Sequence, residues 1–278
     1  MKKLVIKANG SKQIFQREKI IRTCIRLGAK KRTAEEVAER IENEIPKEVS
    51  TSIILDLIYK HLQELMPILK HVVDLRYSIS RLRSKPEFET FVRLVLEEYG
   101  YIVYPNQILQ GKCVEHEVDG VAVNNEGSHL LEIKHHEKYH TMVGLDVIRN
   151  ARAIFEDILD GFYEGLSSIE PVGYIVVCNT KFSLHARRYA ECRNIRLIGW
   201  RQPKDFGLER MIEEKKIYPI TMLKAFEVSE IYKLGAAGIV TLKQFVNYSP
   251  KNLIDILGAS QERINRLLSL ANRILKET

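Results

Sequence analysis

The segment HLLEIKHH, residues 129–136, decides how the centre of this chain is interpreted. Its apolar residues indicate a buried β-strand, yet Glu132 and Lys134 are two residues apart, so both side chains point to the same face of that strand. Charged side chains are almost never fully buried unless they are paired or bound to a metal. The segment is therefore either an edge strand with a solvated ion pair or part of a functional site.

The residues before this segment complete a predicted β-hairpin. CVEHEVDGVAV has a strand pattern, and the turn NNEGS separates it from HLLEIKHH. Asp119 stands thirteen residues before Glu132, and the turn has the right length to bring the two carboxylates face to face. Mg²⁺ prefers one or two carboxylates, waters and phosphate oxygens, so Lys134 could orient or deprotonate an attacking water while the metal lowers the pKa of that water. A surface ion-pair network is the alternative for these three residues.

A third carboxylate is predicted on the helix PEFETFVRLVLEEYG, whose apolar residues dock it against the sheet. Glu89 is the first choice because its position in this helix can face the site. Glu87, two residues earlier, is the other candidate. Glu117 lies on the same face of its strand as Asp119 and could join the group.

Four histidines surround the charged strand and raise the question of a zinc site. Only one pair has the i, i+4 spacing that a helix would bring together, and its segment lacks clear apolar periodicity. Contact with phosphate or with solvent is therefore the favoured interpretation. The four are His116, His135, His136 and His140.

The N-terminal segment, residues 1–82, is predicted to be a hairpin followed by a small helical bundle. Asn9 and Gly10 tolerate the positive φ angles that a tight hairpin turn needs. The following residues repeat apolar side chains at helical spacing, with Thr33 and Thr51 placed as helix N-caps. The segment therefore forms a separate unit in the predicted organisation.

The rest of the chain divides into three predicted segments. Residues 83–200 give a helix, a hairpin, a strand, a helix, a strand, a helix and a strand, which predicts an α/β sandwich with a mixed sheet. A bridging segment over 201–224 leads to an all-α tail over 225–278, where Gly238 and Gly258 mark two helix-turn-helix turns. The predicted fold class is multidomain α/β.

Composition sets outer limits on function. The chain has 278 residues, of which 45% are hydrophobic and 28% charged, so its length and core suit about two domains. No stretch approaches the roughly 18 to 20 uncharged apolar residues of a membrane span, and MKKLVIKANG lacks the apolar run of a signal peptide. We expect a cytoplasmic protein without a membrane partner.

The charge distribution indicates phosphate-bearing partners. Residues 1–82 hold 17 Lys and Arg against 10 Asp and Glu, so the whole net charge of +7 lies there. Basic ends suit nucleic acid or nucleotides, and the slightly acidic centre suits a metal ion. The four cysteines lack the paired spacing of a zinc site and are expected to be reduced packing residues. They are Cys24, Cys113, Cys178 and Cys192.

The motif VDGVAV…HLLEIKHH, preceded by EFETFVRLVLEEYGYIVY, resembles the PD-(D/E)xK nuclease superfamily, in the restriction-endonuclease-like branch that includes Mrr-type enzymes and archaeal Holliday-junction resolvases. The resemblance implies that Glu89, Asp119 and Glu132 hold Mg²⁺ or Mn²⁺ and that Glu132 and Lys134 form the (D/E)xK motif. All four family positions are filled. Val118 replaces the Pro of the family pattern.

The N-terminal segment, with VIKANGSKQIFQREKI and STSIILDLIYKHL, resembles an ATP-cone, the nucleotide-sensing module of ribonucleotide reductases and some regulators. The resemblance implies that ATP or dATP contacts Val5, Lys7, Lys19 and Thr51. Lysines beside a helix N-terminus suit a triphosphate. The Arg that usually follows the first Lys is Ala8 here, which removes a phosphate donor. A helical dimerisation module is the alternative.

The tail resembles tandem helix-hairpin-helix modules, in which backbone N–H groups hold the DNA backbone without reading sequence. The resemblance implies DNA contacts at Gly238, Ile239, Gly258 and Ala259. A helical protein-interaction tail is the alternative, because the net charge of this segment is only +2.

Together these patterns predict a metal-dependent DNA endonuclease regulated by ATP or dATP, acting as a homodimer. Two rival functions stay open. One is a nucleotide-responsive DNA-binding regulator that keeps the nuclease fold without turnover. The other is a structure-specific Holliday-junction resolvase, whose two-fold substrate calls for a two-fold enzyme.

Overall fold

The computed structural model describes residues 3–7, 10–138 and 140–277, and it shows a mixed α/β protein with several helices and mixed sheets. The strands are β1 (Leu4–Ile6), β2 (Lys12–Ile14), β3 (Glu48–Ser50), β4 (Ile102–Gln110), β5 (Glu115–Asn124), β6 (Gly127–Lys134), β7 (Met142–Val143), β8 (Pro171–Cys178), β9 (Lys181–Phe182) and β10 (Ile195–Ile198). The helices are α1 (Arg17–Arg26), α2 (Lys31–Glu44), α3 (Thr51–Leu65), α4 (Leu75–Ser80), α5 (Glu89–Glu97), α6 (Leu145–Tyr163), α7 (Leu184–Cys192), α8 (Leu208–Lys215), α9 (Val228–Ala236), α10 (Leu242–Asn247), α11 (Pro250–Leu257) and α12 (Gln261–Glu277).

The N-terminal segment has the predicted hairpin and helices, but its helix caps differ from the prediction. β1 is the middle strand of a small sheet, antiparallel to β2 and parallel to β3. Thr33 lies inside α2 and caps nothing, because that helix begins two residues earlier. Ser50, not Thr51, caps α3 by accepting a hydrogen bond from the N–H of Ile53. Ala8 and Asn9 lie outside the described residues.

A five-stranded mixed sheet forms the centre of the molecule, as predicted. Its strand order is β10-β8-β6-β5-β4. β6, β8 and β10 run parallel, whereas β5 is antiparallel to both β6 and β4. The carboxyl ends of the three parallel strands therefore meet at one edge of the sheet, where Lys134 ends β6.

The helix before the sheet begins close to where the sequence predicted it. A wider π-helical turn over Ser84–Phe88 leads into the regular helix α5, which starts at Glu89. Lys85 has an extended backbone inside this turn, with φ −123° and ψ 138°. Because the residue before a proline is biased away from helical angles, a boundary at this place has a local cause.

Two hydrophobic clusters cover the two faces of the central sheet. The larger cluster contains residues from all four predicted segments, for example Ile41, Phe91, Met222 and Leu267. The smaller one lies between the sheet and the helices α6 and α7. The segments thus share core residues, and their predicted boundaries stay predictions.

The cysteines fit the predicted packing role only in part. Cys24 and Cys178 are buried thiols, and burial raises the pKa of each to about 12. Cys113 and Cys192 are exposed, so a packing role is wrong for these two.

Candidate active site

The antiparallel pair β5–β6 brings Asp119 and Glu132 to one place. Gly120 pairs with Leu131, so Asp119 and Glu132 are the next two opposed residues, on one face of the sheet. The regular ladder stops there, and the N–H of Ile133 donates to Asp119 Oδ2 at 2.7 Å instead of to a strand carbonyl. This hydrogen bond holds one oxygen of the Asp119 carboxylate at the end of the hairpin ladder.

Glu89 joins Asp119 through a shared cation. Lys85 Nζ lies 3.0 Å from Glu89 Oε1 and 3.2 Å from Asp119 Oδ1. The two carboxylate side chains are only 14% and 12% exposed. Burial raises the pKa of Glu89, the hydrogen bond from Lys85 lowers it, and the charge of Asp119 raises it again, with a net increase. Two carboxylates therefore converge around one positive charge at the start of α5.

Glu132 and Lys134 form an ion pair with each other on β6. The buried Tyr174 on the neighbouring strand β8 is close to both strand carboxylates: burial raises the pKa of its phenol, and the charges of Glu132 and Asp119 raise it further. Tyr174 is 2% exposed, and its Oη has no hydrogen-bond partner within the described residues. The structure thus brings all four predicted residues, with Tyr174, to the same end of the hairpin.

Glu87, the other candidate on the first helix, belongs to a different contact. Its carboxylate is 1% exposed and accepts hydrogen bonds from the backbone N–H of Arg83 at 2.8 Å and from Arg83 Nε at 2.7 Å. A Cβ atom added at Gly235 of α9 would lie 2.2 Å from Glu87 Oε1. Glu87 therefore connects the start of the central segment to the helical tail.

Glu117 is exposed, and its charge contributes to the raised pKa of Glu89.

The histidines are distributed over separate contacts. His116 Nε2 lies 2.7 Å from Asp157 Oδ2, and His135 Nε2 lies 3.1 Å from the carbonyl oxygen of Ile79. His136 is held through its backbone, which exchanges two hydrogen bonds with the Asn179 side chain. His140 is exposed and has at least one interaction.

The donor set at the hairpin end fits a hard divalent cation. Within the ranges that the structure describes, no three His, Cys, Asp or Glu side chains converge closely enough to form a metal cluster. Two observations nevertheless favour a cation site: the largely buried carboxylates of Glu89 and Asp119 converge, and the buried hydroxyl of Tyr174, beside Asp119 and Glu132, has no hydrogen-bond partner among the described residues. Glu89 and Asp119 would hold Mg²⁺ or Mn²⁺, with Glu132 beside them.

Sequence reasoning missed Lys85 and Tyr174. Lys85 could have been suspected only from its closeness to Glu89 in the sequence, because its backbone is extended and the i, i+4 rule for helices does not apply to it. Tyr174 lies in the apolar run VGYIVVC, where a tyrosine looks like any other buried core residue. Only the pairing of β8 with β6 shows that its hydroxyl approaches the carboxylates.

The variant Tyr174→Phe tests the fit of this site to a metal. The substitution keeps the ring and removes a buried hydroxyl that has no hydrogen-bond partner in the described part of the chain, so we expect an unchanged or slightly higher thermal unfolding midpoint. We expect Mn²⁺ affinity, measured by calorimetry, to fall by about tenfold, because outer groups that orient a metal's waters have effects of that size. Unchanged Mn²⁺ affinity would show that the hydroxyl serves no bound ion.

The four predicted nucleotide contacts line one cavity in the N-terminal segment. This nucleotide cavity has a volume of about 310 Å³ and is lined by Val5, Lys7, Lys19 and Thr51, together with apolar side chains. Thr51 is the first residue of α3, and its Oγ1 donates to the carbonyl oxygen of Ile6 at 3.0 Å. The apolar lining suits a base, and the two lysines suit phosphates.

The two turns of the helical tail differ in their surroundings. Gly238 and Gly258 both have positive φ angles, +75° and +66°, as helix-ending glycines do. The first turn is folded inward, where Thr241 is 2% exposed and the N–H of Leu242 donates to the carbonyl oxygen of Tyr218. At the second turn, Lys233 Nζ donates to the carbonyl oxygen before Gly258 at 2.6 Å. DNA contacts at the two glycines stay a prediction.

The structure is a mixed α/β protein with carboxylates at one end of its central hairpin. Comparison with known proteins shows which family has this chain as a member. None of the helices in the described part of the chain combines the length and apolar character needed to cross a bilayer. A family model described as AF1548-like, C-terminal, matches residues 218–275. An uncharacterized protein of Archaeoglobus fulgidus is 30% identical over 184 residues, which are 65% of this chain and 98% of that relative.

A solved structure supports the same relationship. The crystal structure of AF1548, a protein of unknown function, has a TM-score of 0.57 and 30% identity, and the match covers 68% of this chain and 97% of that one. The chain therefore belongs to the AF1548-like family. Protein VC1899 from Vibrio cholerae has 13% identity and a TM-score of 0.31 over 72% of this chain and 49% of its own, which is too distant to carry an argument.

Proposed function

We propose that this protein is a metal-dependent DNA endonuclease with the restriction-endonuclease-like fold of the PD-(D/E)xK superfamily. The observation that carries the proposal is the convergence of Glu89 and Asp119 on the ammonium group of Lys85. Glu132 and Lys134 lie on the adjoining strand. Burying two carboxylates around one positive charge costs desolvation free energy, and a hydrolytic site needs such a concentration of charge.

The side chains divide the work of phosphodiester hydrolysis. Glu89 and Asp119 would hold the cation, and the hydrogen bond from the N–H of Ile133 keeps the Asp119 carboxylate in place. Lys134, held by Glu132, positions a water against the scissile phosphate and offsets negative charge there. A bound Mg²⁺ would lower the pKa of water and stabilise charge on the phosphate.

Plasmid cleavage tests this proposal directly. Purified protein is incubated with supercoiled plasmid in Mg²⁺, in Mn²⁺ or in EDTA, and the nicked and linear products are measured. The proposal requires cleavage with either metal and none in EDTA. Salt-dependent DNA binding without cleavage in either metal would instead indicate a DNA-binding regulator. The position of Lys85 is the observation that favours this second function, because its ammonium lies where the two carboxylates meet.

The N-terminal segment supports regulation by a nucleotide. It resembles an ATP-cone, and its nucleotide cavity places both lysines near the N-termini of α1 and α3, where backbone N–H groups attract phosphates. ATP or dATP bound there would act as an effector of cleavage or of assembly into the proposed homodimer. The helical tail, with Gly238 and Gly258, is proposed to contact the DNA backbone.

The variant Lys19→Ala tests the nucleotide cavity. Lys19 lies in the first turn of α1, and removing a charged phosphate contact is expected to weaken ATP and dATP binding by about tenfold or more. Binding is measured by calorimetry with Lys70→Ala as the control, since Lys70 is exposed and does not line the nucleotide cavity. If ATP and dATP bind both variants with wild-type affinity, the effector site is elsewhere or absent.

A further inference from the structure

A second cavity, of about 370 Å³, lies where the N-terminal segment meets the end of the central sheet. We call it the junction cavity. Residues of α1, α3 and α4 form one wall, and β9, the turn after β10 and α8 form the other. Thr23 and Leu55 line both this cavity and the nucleotide cavity, so the two are neighbours. Its volume is in the range of sites for small ligands.

The junction cavity opens at the same sheet edge as the candidate active site. β6, β8 and β10 are parallel, and Lys134 at the end of β6 is paired with Cys178 of β8. The N–H of Trp200, just after β10, donates to the carbonyl oxygen of Thr180. Trp200 is thus two strand spacings, on the order of 10 Å, across the edge from Lys134. Ligands of open α/β sheets bind outside the carboxyl ends of parallel strands.

Aromatic and cationic side chains together line the junction cavity. Tyr77 is 46% exposed, and Tyr59 is half-buried beside it. Trp200 is 3% exposed and forms the floor, with the Arg76 guanidinium carbon 5.8 Å from its ring centre. Lys181 is exposed and, among the described residues, takes part in no ion pair. Rings with neighbouring cations are the combination that binds single-stranded nucleic acid.

The acidic residues of the lining are already engaged. Glu209 Oε1 accepts a hydrogen bond from Arg201 Nη2 at 2.7 Å, and Asp74 caps α4 by accepting from the N–H of Tyr77 at 3.0 Å. Three cationic side chains face these two carboxylates, so the junction cavity has a positive excess. That excess favours a ligand with a phosphate.

We propose that the junction cavity binds an unpaired nucleotide of the DNA substrate, with its base on Tyr77 and its phosphate at Lys181. A strand that passes Lys134 along the sheet edge reaches this cavity within one or two nucleotides. The choice of a DNA strand as the source rests on the proposed nuclease function. A free nucleotide has the same chemistry and is the other source that the experiment distinguishes.

Trp200 reports on the junction cavity directly, because it is the sole tryptophan of the chain. The full chain is titrated in EDTA with an oligothymidylate, and separately with ATP and dATP, while tryptophan fluorescence is measured. Metal-free titration separates binding from cleavage, so a protein that fails to cut DNA can still pass this test. The test variants are Lys181→Ala and Tyr77→Leu, and the controls are Lys70→Ala and Tyr163→Leu, which replace exposed residues of the same types elsewhere.

We expect the oligonucleotide to change Trp200 fluorescence, and we expect its affinity to fall about tenfold in each test variant and to stay unchanged in both controls. An absent fluorescence change, or equal affinities in all four variants, would overturn the proposal. A change produced by ATP or dATP alone, and weakened by Lys181→Ala, would overturn the DNA strand as the source and assign the cavity to a free nucleotide.

Discussion

Replacing Asp119 is expected to reduce metal-dependent plasmid cleavage by roughly 10²- to 10³-fold, the range seen when one well-placed electrostatic contact is removed from an active site. Asp119→Asn is the sharper variant because an amide oxygen can still accept the hydrogen bond from Ile133, while the negative charge is lost. Asp119→Ala removes both, so it should lose the same activity and also about 1 kcal/mol of stability. Cleavage rate and urea unfolding are measured for each.

A second variant of the candidate site and a control variant complete this experiment. Glu132→Ala should lose cleavage as well, because it removes the neighbouring carboxylate and the partner of Lys134. Glu115→Ala is the control, since Glu115 is an exposed carboxylate on the same strand as Asp119. DNA affinity should be nearly unchanged throughout. Wild-type cleavage by both Asp119→Asn and Glu132→Ala would reject the assignment of the active site.

The parts of the site that the sequence predicted depend on local rules. Alternation along a strand places Glu132 and Lys134 on one face, and the hairpin turn places Asp119 opposite Glu132. The mixed sheet could also be predicted from the sequence, because the order of strands and helices strongly restricts the topology. The cavity that joins Val5 with Lys19 followed from a resemblance that spans the whole N-terminal segment.

The parts that could not be predicted depend on contacts between distant segments or on a local break. Tyr174 approaches Asp119 only because β8 pairs with β6. The break in the helical backbone lies at Lys85, and apolar periodicity alone does not show that this side chain reaches both Glu89 and Asp119. The sequence ranked Glu89 before Glu87, and only the structure shows that Glu87 pairs with Arg83 instead.

The pair Glu87→Gln and Glu89→Gln is expected to separate stability from activity. Glu87 is buried and paired with Arg83, and a hydrogen bond to a charged group contributes about 1.5 to 3 kcal/mol. Arg83 is 44% exposed, so water can solvate its charge in Glu87→Gln, and we expect a loss of about 2 kcal/mol in urea unfolding. Glu89→Gln should cost little stability, because burial already disfavours that charge and raises the pKa of Glu89. Its cleavage should fall by roughly 10²-fold.

The glycine that faces Glu87 supplies an independent check of the same contact. A methyl group from Gly235→Ala would lie 2.2 Å from Glu87 Oε1, so this variant alone should also destabilise the protein. The double variant that combines Gly235→Ala with Glu87→Ala should lose less unfolding free energy than the two single variants lose together. The reason is that Glu87→Ala removes the carboxylate that would clash with the new methyl group. Fully additive unfolding energies would contradict the contact between Glu87 and Gly235. A loss of cleavage in Glu87→Gln at wild-type stability would place Glu87 in the active site.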